Sequence, residues 1–171
     1  VGITAATPTN LVVGAGNLLR ASADLGASED ANAFRIERTY YTPDLNGSPG
    51  GLMGTDYVQS EEGILESSLP ELSATTLGAL WPGSADVGGG EIRFDGAVRL
   101  QSESYADWEL VVPGFANEFG FFCENAVNLG KLDIQADDKA TAKPRLELHS
   151  RWDPADLTIS PHGFRITALG S

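Results

Sequence analysis

The sequence is poor in basic residues. Against 24 Asp and Glu stand 11 Lys and Arg in 171 residues, a formal charge of −13, and residues 39–92 and 100–130 hold no Lys or Arg at all. Such a surface repels phosphates out to a Debye length of about 8 Å at physiological salt, which excludes a tight grip on nucleic acid. Cysteine is reduced to Cys123, so an internal disulfide, a CxxC redox centre and a multi-cysteine zinc site are excluded together. The two histidines, His149 and His162, stand thirteen positions apart and outside any HExxH or HxH spacing. They read as surface or structural residues and not as metal ligands. No apolar run approaches the roughly 18–20 residues of a membrane span, and residues 1–9 have neither the basic nor the apolar part of a secretion signal. The expectation is a soluble protein with no membrane partner and no cofactor.

What is present is ordinary globular material, 42% apolar and 20% charged, enough to expect one domain over residues 1–171. Helical periodicity is scarce and period-two alternation is common, which predicts a mainly β fold. Residues 145–152 alternate most cleanly, with Leu146, Leu148 and Trp152 facing in and Arg145, Glu147, His149 and Arg151 facing out as a charge ladder. Residues 132–135, with a turn at Asp137-Asp138-Lys139, are expected as its hairpin partner. Residues 91–101 place Ile92, Phe94, Gly96, Val98 and Leu100 on one face, as a single half-buried strand or as two joined at the Asp95-Gly96 turn. Residues 107–112 put Trp108, Leu110 and Val112 on one side. Phe119, Phe121 and Cys123 alternate likewise, with Phe122 opposite, which calls for cover on both faces. Weaker strands are expected near residues 11–20, 34–41 and 57–69. One helix is expected over residues 74–80, with Ser73 as N-cap, Leu77, Leu80 and Trp81 on its buried side and Pro82-Gly83 as its stop.

Residues 44–57 form a long connection between two expected strands, where about 4–6 residues is the norm. Glycines and Pro49 argue against regular structure there, while Leu52, Met53 and Tyr57 are costly to leave in water. A loop of this composition is expected to order against a partner.

Catalytic patterns are weak throughout. Gly14-Ala15-Gly16 lacks the third glycine of a dinucleotide loop, and no GxSxG elbow presents a serine nucleophile. Glu61 and Glu62 are adjacent on an expected strand, so they point to opposite faces and do not bracket one glycosidic bond. Trp81, Trp108 and Trp152 invite an alternative reading as sugar-stacking platforms of a monomeric carbohydrate-binding sandwich, although core aromatics are the commoner use. No enzymatic activity is expected.

Several stretches, taken in order, carry a family likeness. They are Val13-Gly14-Ala15-Gly16-Asn17-Leu18-Leu19, Phe34-Arg35-Ile36-Glu37-Arg38, the Asn46-Gly47 turn, and Gly51-Leu52-Met53-Gly54-Thr55-Asp56-Tyr57-Val58. Pro70-Glu71-Leu72-Ser73 follows before the helix, then Arg145-Leu146-Glu147-Leu148-His149-Ser150-Arg151-Trp152-Asp153-Pro154 and Phe164-Arg165-Ile166. With this order and spacing the chain resembles the major tail tube proteins of long-tailed, non-contractile phages. The resemblance implies a β-sandwich or barrel-like domain with one short flanking helix, made in the host cytoplasm and assembled into the virion tail. It implies homo-hexameric rings stacked into a tube, contacts with tape-measure, terminator and distal tail proteins, and DNA passing through the lumen without specific binding. On that reading Asp44, Asn46, Gly50, Gly51, Leu52, Met53 and Tyr57 belong to an inter-subunit or inter-ring loop, and Glu61, Glu62 and Glu66 are lumen acids.

Overall fold

Alternation in the sequence becomes two-faced strands in the computed structural model, which describes residues 15–28, 32–43, 53–69, 73–94, 100, 104–113, 118–132, 144–151 and 163–169. Among these, the strands in chain order are β1 (Asn17–Arg20), β2 (Ala23–Ala27), β3 (Ala33–Tyr41) and β4 (Tyr57–Ser68), followed by helix α1 (Ala74–Leu80). Then come β5 (Ser84–Gly88), β6 (Glu91–Phe94), β7 (Ala106–Val112), β8 (Glu118–Asn128), β9 (Arg145–His149) and β10 (Phe164–Leu169). All pairings are antiparallel. The main sheet runs β2-β1-β7-β8-β9-β4-β3, with β10 beside β8, and β5-β6 is a separate hairpin.

Strand β8 serves two half-sheets. Its first part, from Glu118 to Cys123, pairs with β10, whereas Val127 and Asn128 pair with β9. The change of partner straddles Asn125, whose φ of 48° is left-handed, opposite a register shift between Ala106 and Trp108 of β7. A bulge of this kind bends a strand and increases its twist. The half-sheets thereby face each other, and one core joins Leu18, Trp108, Leu110, Val112 and Cys123 of the first to Leu65, Leu146 and Leu148 of the second. Phe34 crosses the gap, its ring 5.6 Å from that of Phe121 and 6.3 Å from that of Phe164. Gly63 lies directly under Phe164, where a Cβ would stand 2.5 Å from the ring. The fold is mainly β and sandwich-like, and the described strands do not close into a barrel.

Helix α1 is too short to persist alone, so its ends are tied. The Thr76 amide donates to Ser73 Oγ at 3.0 Å. At the other end, buried Asn128 donates through Nδ2 to the Leu80 carbonyl at 3.1 Å. Its Oδ1 accepts from Gly130 N at 2.9 Å and from Glu147 N at 3.1 Å. Trp81 Nε1 donates to the Gly130 carbonyl at 3.3 Å. Helix and cap thus fall as expected, because capping is a local property of the sequence.

Of the strand predicted over residues 91–101, the described part is β6, paired with β5 and ending just before Asp95-Gly96, with Phe94 56% exposed; residues 95–99 and 101 lie outside the described set. Of the hairpin partner predicted for β9, residues 133–135 lie outside the described set, and among the described residues β9 is flanked by β4 and the end of β8. Strands β2 (ADLGA) and β5 (SADVG) are not among the expected strands; their alternation spans only five positions of mostly small residues, and β1 and β6 supply the ladders they pair with.

Candidate functional site

Strand β9 covers β4 from Ser68 only as far as Ile64, which pairs with His149. One residue further, the Ser150 amide donates to the Gly63 carbonyl and the Gly63 amide donates to Ser150 Oγ, each at 2.9 Å. Beyond that point residues 57–62 of β4 have, among the described residues, β3 alone as their ladder partner and form a two-stranded arm. Burial follows the geometry: residues 63–67 are buried and residues 57–60 exposed. The arm's far end pairs Tyr40 with Val58 and Tyr41 with Tyr57, and all four are more than half exposed. Thr42 Oγ1 donates to Asp56 Oδ1 just past the last pair. Met53, in the turn before β4, is fully exposed, and Gly54 beside it takes a φ of +88°. An isolated two-stranded ribbon is marginal in water, and a cluster of exposed aromatics marks a contact surface.

Of the expected loop residues, Met53 and Tyr57 therefore lie on or beside this arm, while Asp44, Asn46, Gly50, Gly51 and Leu52 lie outside the described residues. The expected lumen acids divide between two faces. Glu61 lies against Arg38 on one. On the other, Glu62 meets Arg151 and, at 2.9 Å, His149 Nδ1, and Glu66 sits between Arg35 and Arg145 with its side chain only 7% exposed. Each acid carries a cation, so these positions present a mixed-charge face and not free carboxylates. Burial pushes the Glu62 carboxyl upward, but hydrogen bonds from Arg151 and His149 outweigh it and leave the group below the usual carboxylate range. The ladder expected from Glu147, His149 and Arg151 is present and extends across β4 to Arg35 and Glu37 of β3. Arg35 and Arg38 were not separable from the sequence, because their partners are 31 and 23 positions away.

On the outer face of the other half-sheet, a cavity of about 200 Å³ is lined by Leu19, Asp107, Glu109, Phe122, Glu124 and Arg165, among others. Arg165 fills part of its polar demand, 4.6 Å from the centre of the Phe122 ring and 2.8 Å from Glu124. This is the second-face cover that the Phe122 position called for. Glu109 is held above the usual carboxylate range by burial, partly offset by Arg165. Cys123 is buried at the sheet interface, where desolvation pushes its thiol up to about 12. Among the described residues no group of His, Cys, Asp and Glu is arranged to hold a metal, and no helix is long and apolar enough to cross a membrane.

Neither a protein-family model nor a curated protein matches the chain.

Proposed function

We propose that the chain is a structural subunit that assembles with copies of itself, in the manner of the tail tube proteins its sequence resembles. The observation that carries this reading is the arm. A fold with a complete core, from Leu18 to Leu148, also extends an aromatic-tipped ribbon that its own core does not bury. Exposure of Tyr40, Tyr41, Tyr57 and Val58 is unfavourable for an isolated subunit and favourable once a neighbour covers them. Among the described residues strand β3 is also terminal in the sheet order, and a nine-residue edge strand offers backbone donors and acceptors to another chain. Rings closed by lateral strand contacts, stacked through the arm and the segment between its strands, meet both demands. The base-poor stretches suit a conduit along which DNA slides without sticking.

Electron microscopy and sedimentation of the purified chain test the proposal. Rings or tubes are expected, and a chain that stays monomeric at all concentrations rules it out. Deleting Ser48 to Gly51 should leave the circular dichroism unchanged and abolish tubes. The carbohydrate-binding alternative gains nothing from Trp81 and Trp108, which are 8% and 3% exposed and serve the core; Trp152 lies outside the described residues.

A further inference from the structure

We propose that His149 is a protonation-controlled clamp at the root of the arm, tying the arm to the body of the sheet when the imidazole carries both protons and loosening it when one is lost. His149 ends β9, and its register partner Ile64 stands two residues after Glu62 on the same face of β4. Glu62 is thus the first residue on that face of the arm beyond third-strand cover. Its side chain reaches back to the body through two contacts, His149 Nδ1 at 2.9 Å and the Arg151 guanidinium. The other ring nitrogen of His149, Nε2, faces Glu147 Oε1 at 3.3 Å. The ring is largely enclosed, with 15% of its side chain exposed.

Only the imidazolium meets both carboxylates favourably, through a hydrogen bond from Nδ1 to Glu62 and an ion-pair contact of Nε2 with Glu147. In the neutral ring one nitrogen holds a lone pair, which would then face a carboxylate oxygen, acceptor against acceptor. The surrounding charges agree. From β4, Glu62 and Glu66 share this face; from β3, Arg35 and Glu37; from β9 and the residues after it, Arg145, Glu147 and Arg151. Strand β8, on the remaining side, sets uncharged Val127 opposite His149. Four carboxylates and three guanidiniums leave the ladder at −1 with a neutral ring, and the imidazolium brings it to zero. Arg151 stays charged throughout, so loss of the proton weakens the attachment without severing it. The clamp is closed while Glu62 is ionised and His149 carries both ring protons. A looser arm would present its tip less uniformly to a neighbour; this last consequence alone rests on the assembly reading.

Amide hydrogen exchange of the full chain at pH 5.5 and pH 8, corrected for intrinsic rates, reads the clamp at residues 37–39 and 60–62. Sedimentation in the same buffers should accompany it, so that states of equal assembly are compared. Opening of these amides should be about two- to fivefold more frequent at pH 8, the range expected for a partly exposed ion pair, and His149→Gln should abolish the difference. A pH response that persists in His149→Gln, or none in the unaltered chain, overturns the proposal. A second measurement does not depend on how the variant folds. Nitrogen-15 spectra of the unaltered chain at pH 5.5 should show both ring N–H groups of one histidine protected from solvent, and a single protected N–H overturns it equally. A chain that never assembles leaves the exchange result standing, and a flat exchange profile leaves assembly untouched, so the two proposals fail separately.

Discussion

Reversing the charge of Glu66 separates a carboxylate that repels DNA from one that holds the sheet together. Its side chain is 7% exposed and lies between Arg35 and Arg145, which are 43% and 75% exposed. Glu66→Lys removes two charge-assisted hydrogen bonds, each worth about 1.5–3 kcal/mol before discounting for the exposure of the arginines. It also places an ammonium against two guanidiniums at a position with little access to water. Breaking a buried pair in this way costs about 3–5 kcal/mol. Net stability of a domain is about 5–15 kcal/mol, and at roughly 2–4 °C per kcal/mol the melting temperature should fall by about 6–20 °C. Glu61→Lys is the control. Glu61 has one arginine partner where Glu66 has two, and the Glu61 and Arg38 side chains are 14% and 47% exposed, so the loss should be smaller, about 1–2 kcal/mol. Urea unfolding followed by tryptophan fluorescence suits the comparison, because Trp81 and Trp108 report directly on the core. If Glu66→Lys unfolds within about 1 kcal/mol of the unaltered chain, the structural account of Glu66 is wrong.

Gly63→Ala should cost about 1–3 kcal/mol, because the new methyl meets the Phe164 ring, and Phe164→Leu in the same chain should recover part of it; equal losses with and without that second change would contradict the contact. Replacing Tyr41 and Tyr57 together by Ser should shift the urea midpoint little, since both are more than half exposed, yet reduce assembly in sedimentation at least tenfold. Two acids should respond to pH with opposite signs. Glu62 is depressed by Arg151 and His149 against the pull of burial, so its stabilising effect is full above the unfolded carboxylate pKa and lost as pH falls through the lower folded value; Glu62→Gln should flatten the acid limb of the stability curve. Glu109 is raised by burial, so the charged form is the costly one, and Glu109→Gln should gain stability at pH 7 while the gain disappears in acid, as thermal melts at the two pH values would show.

Local rules determined much of this protein without help from the fold. Ser73 caps α1 and Trp81 follows its end because capping depends on a few adjacent residues. Trp108, Leu110 and Val112, like Leu146 and Leu148, turn inward because a strand alternates its faces and a core takes the apolar one. The opposed directions of Glu61 and Glu62 follow from the same period of two. Tertiary structure decided the rest. Register across β3, β4 and β9 turned acids that read as free into partners of Arg35, Arg38, Arg145 and Arg151, over separations no local pattern records. The left-handed Asn125 let one strand serve two half-sheets. The length of β4 beyond the last residue of β9 made an arm of what the alternation shows only as a strand. A sequence specifies which face of a strand is apolar, but how far its neighbours extend beside it is settled only when all the strands are in place.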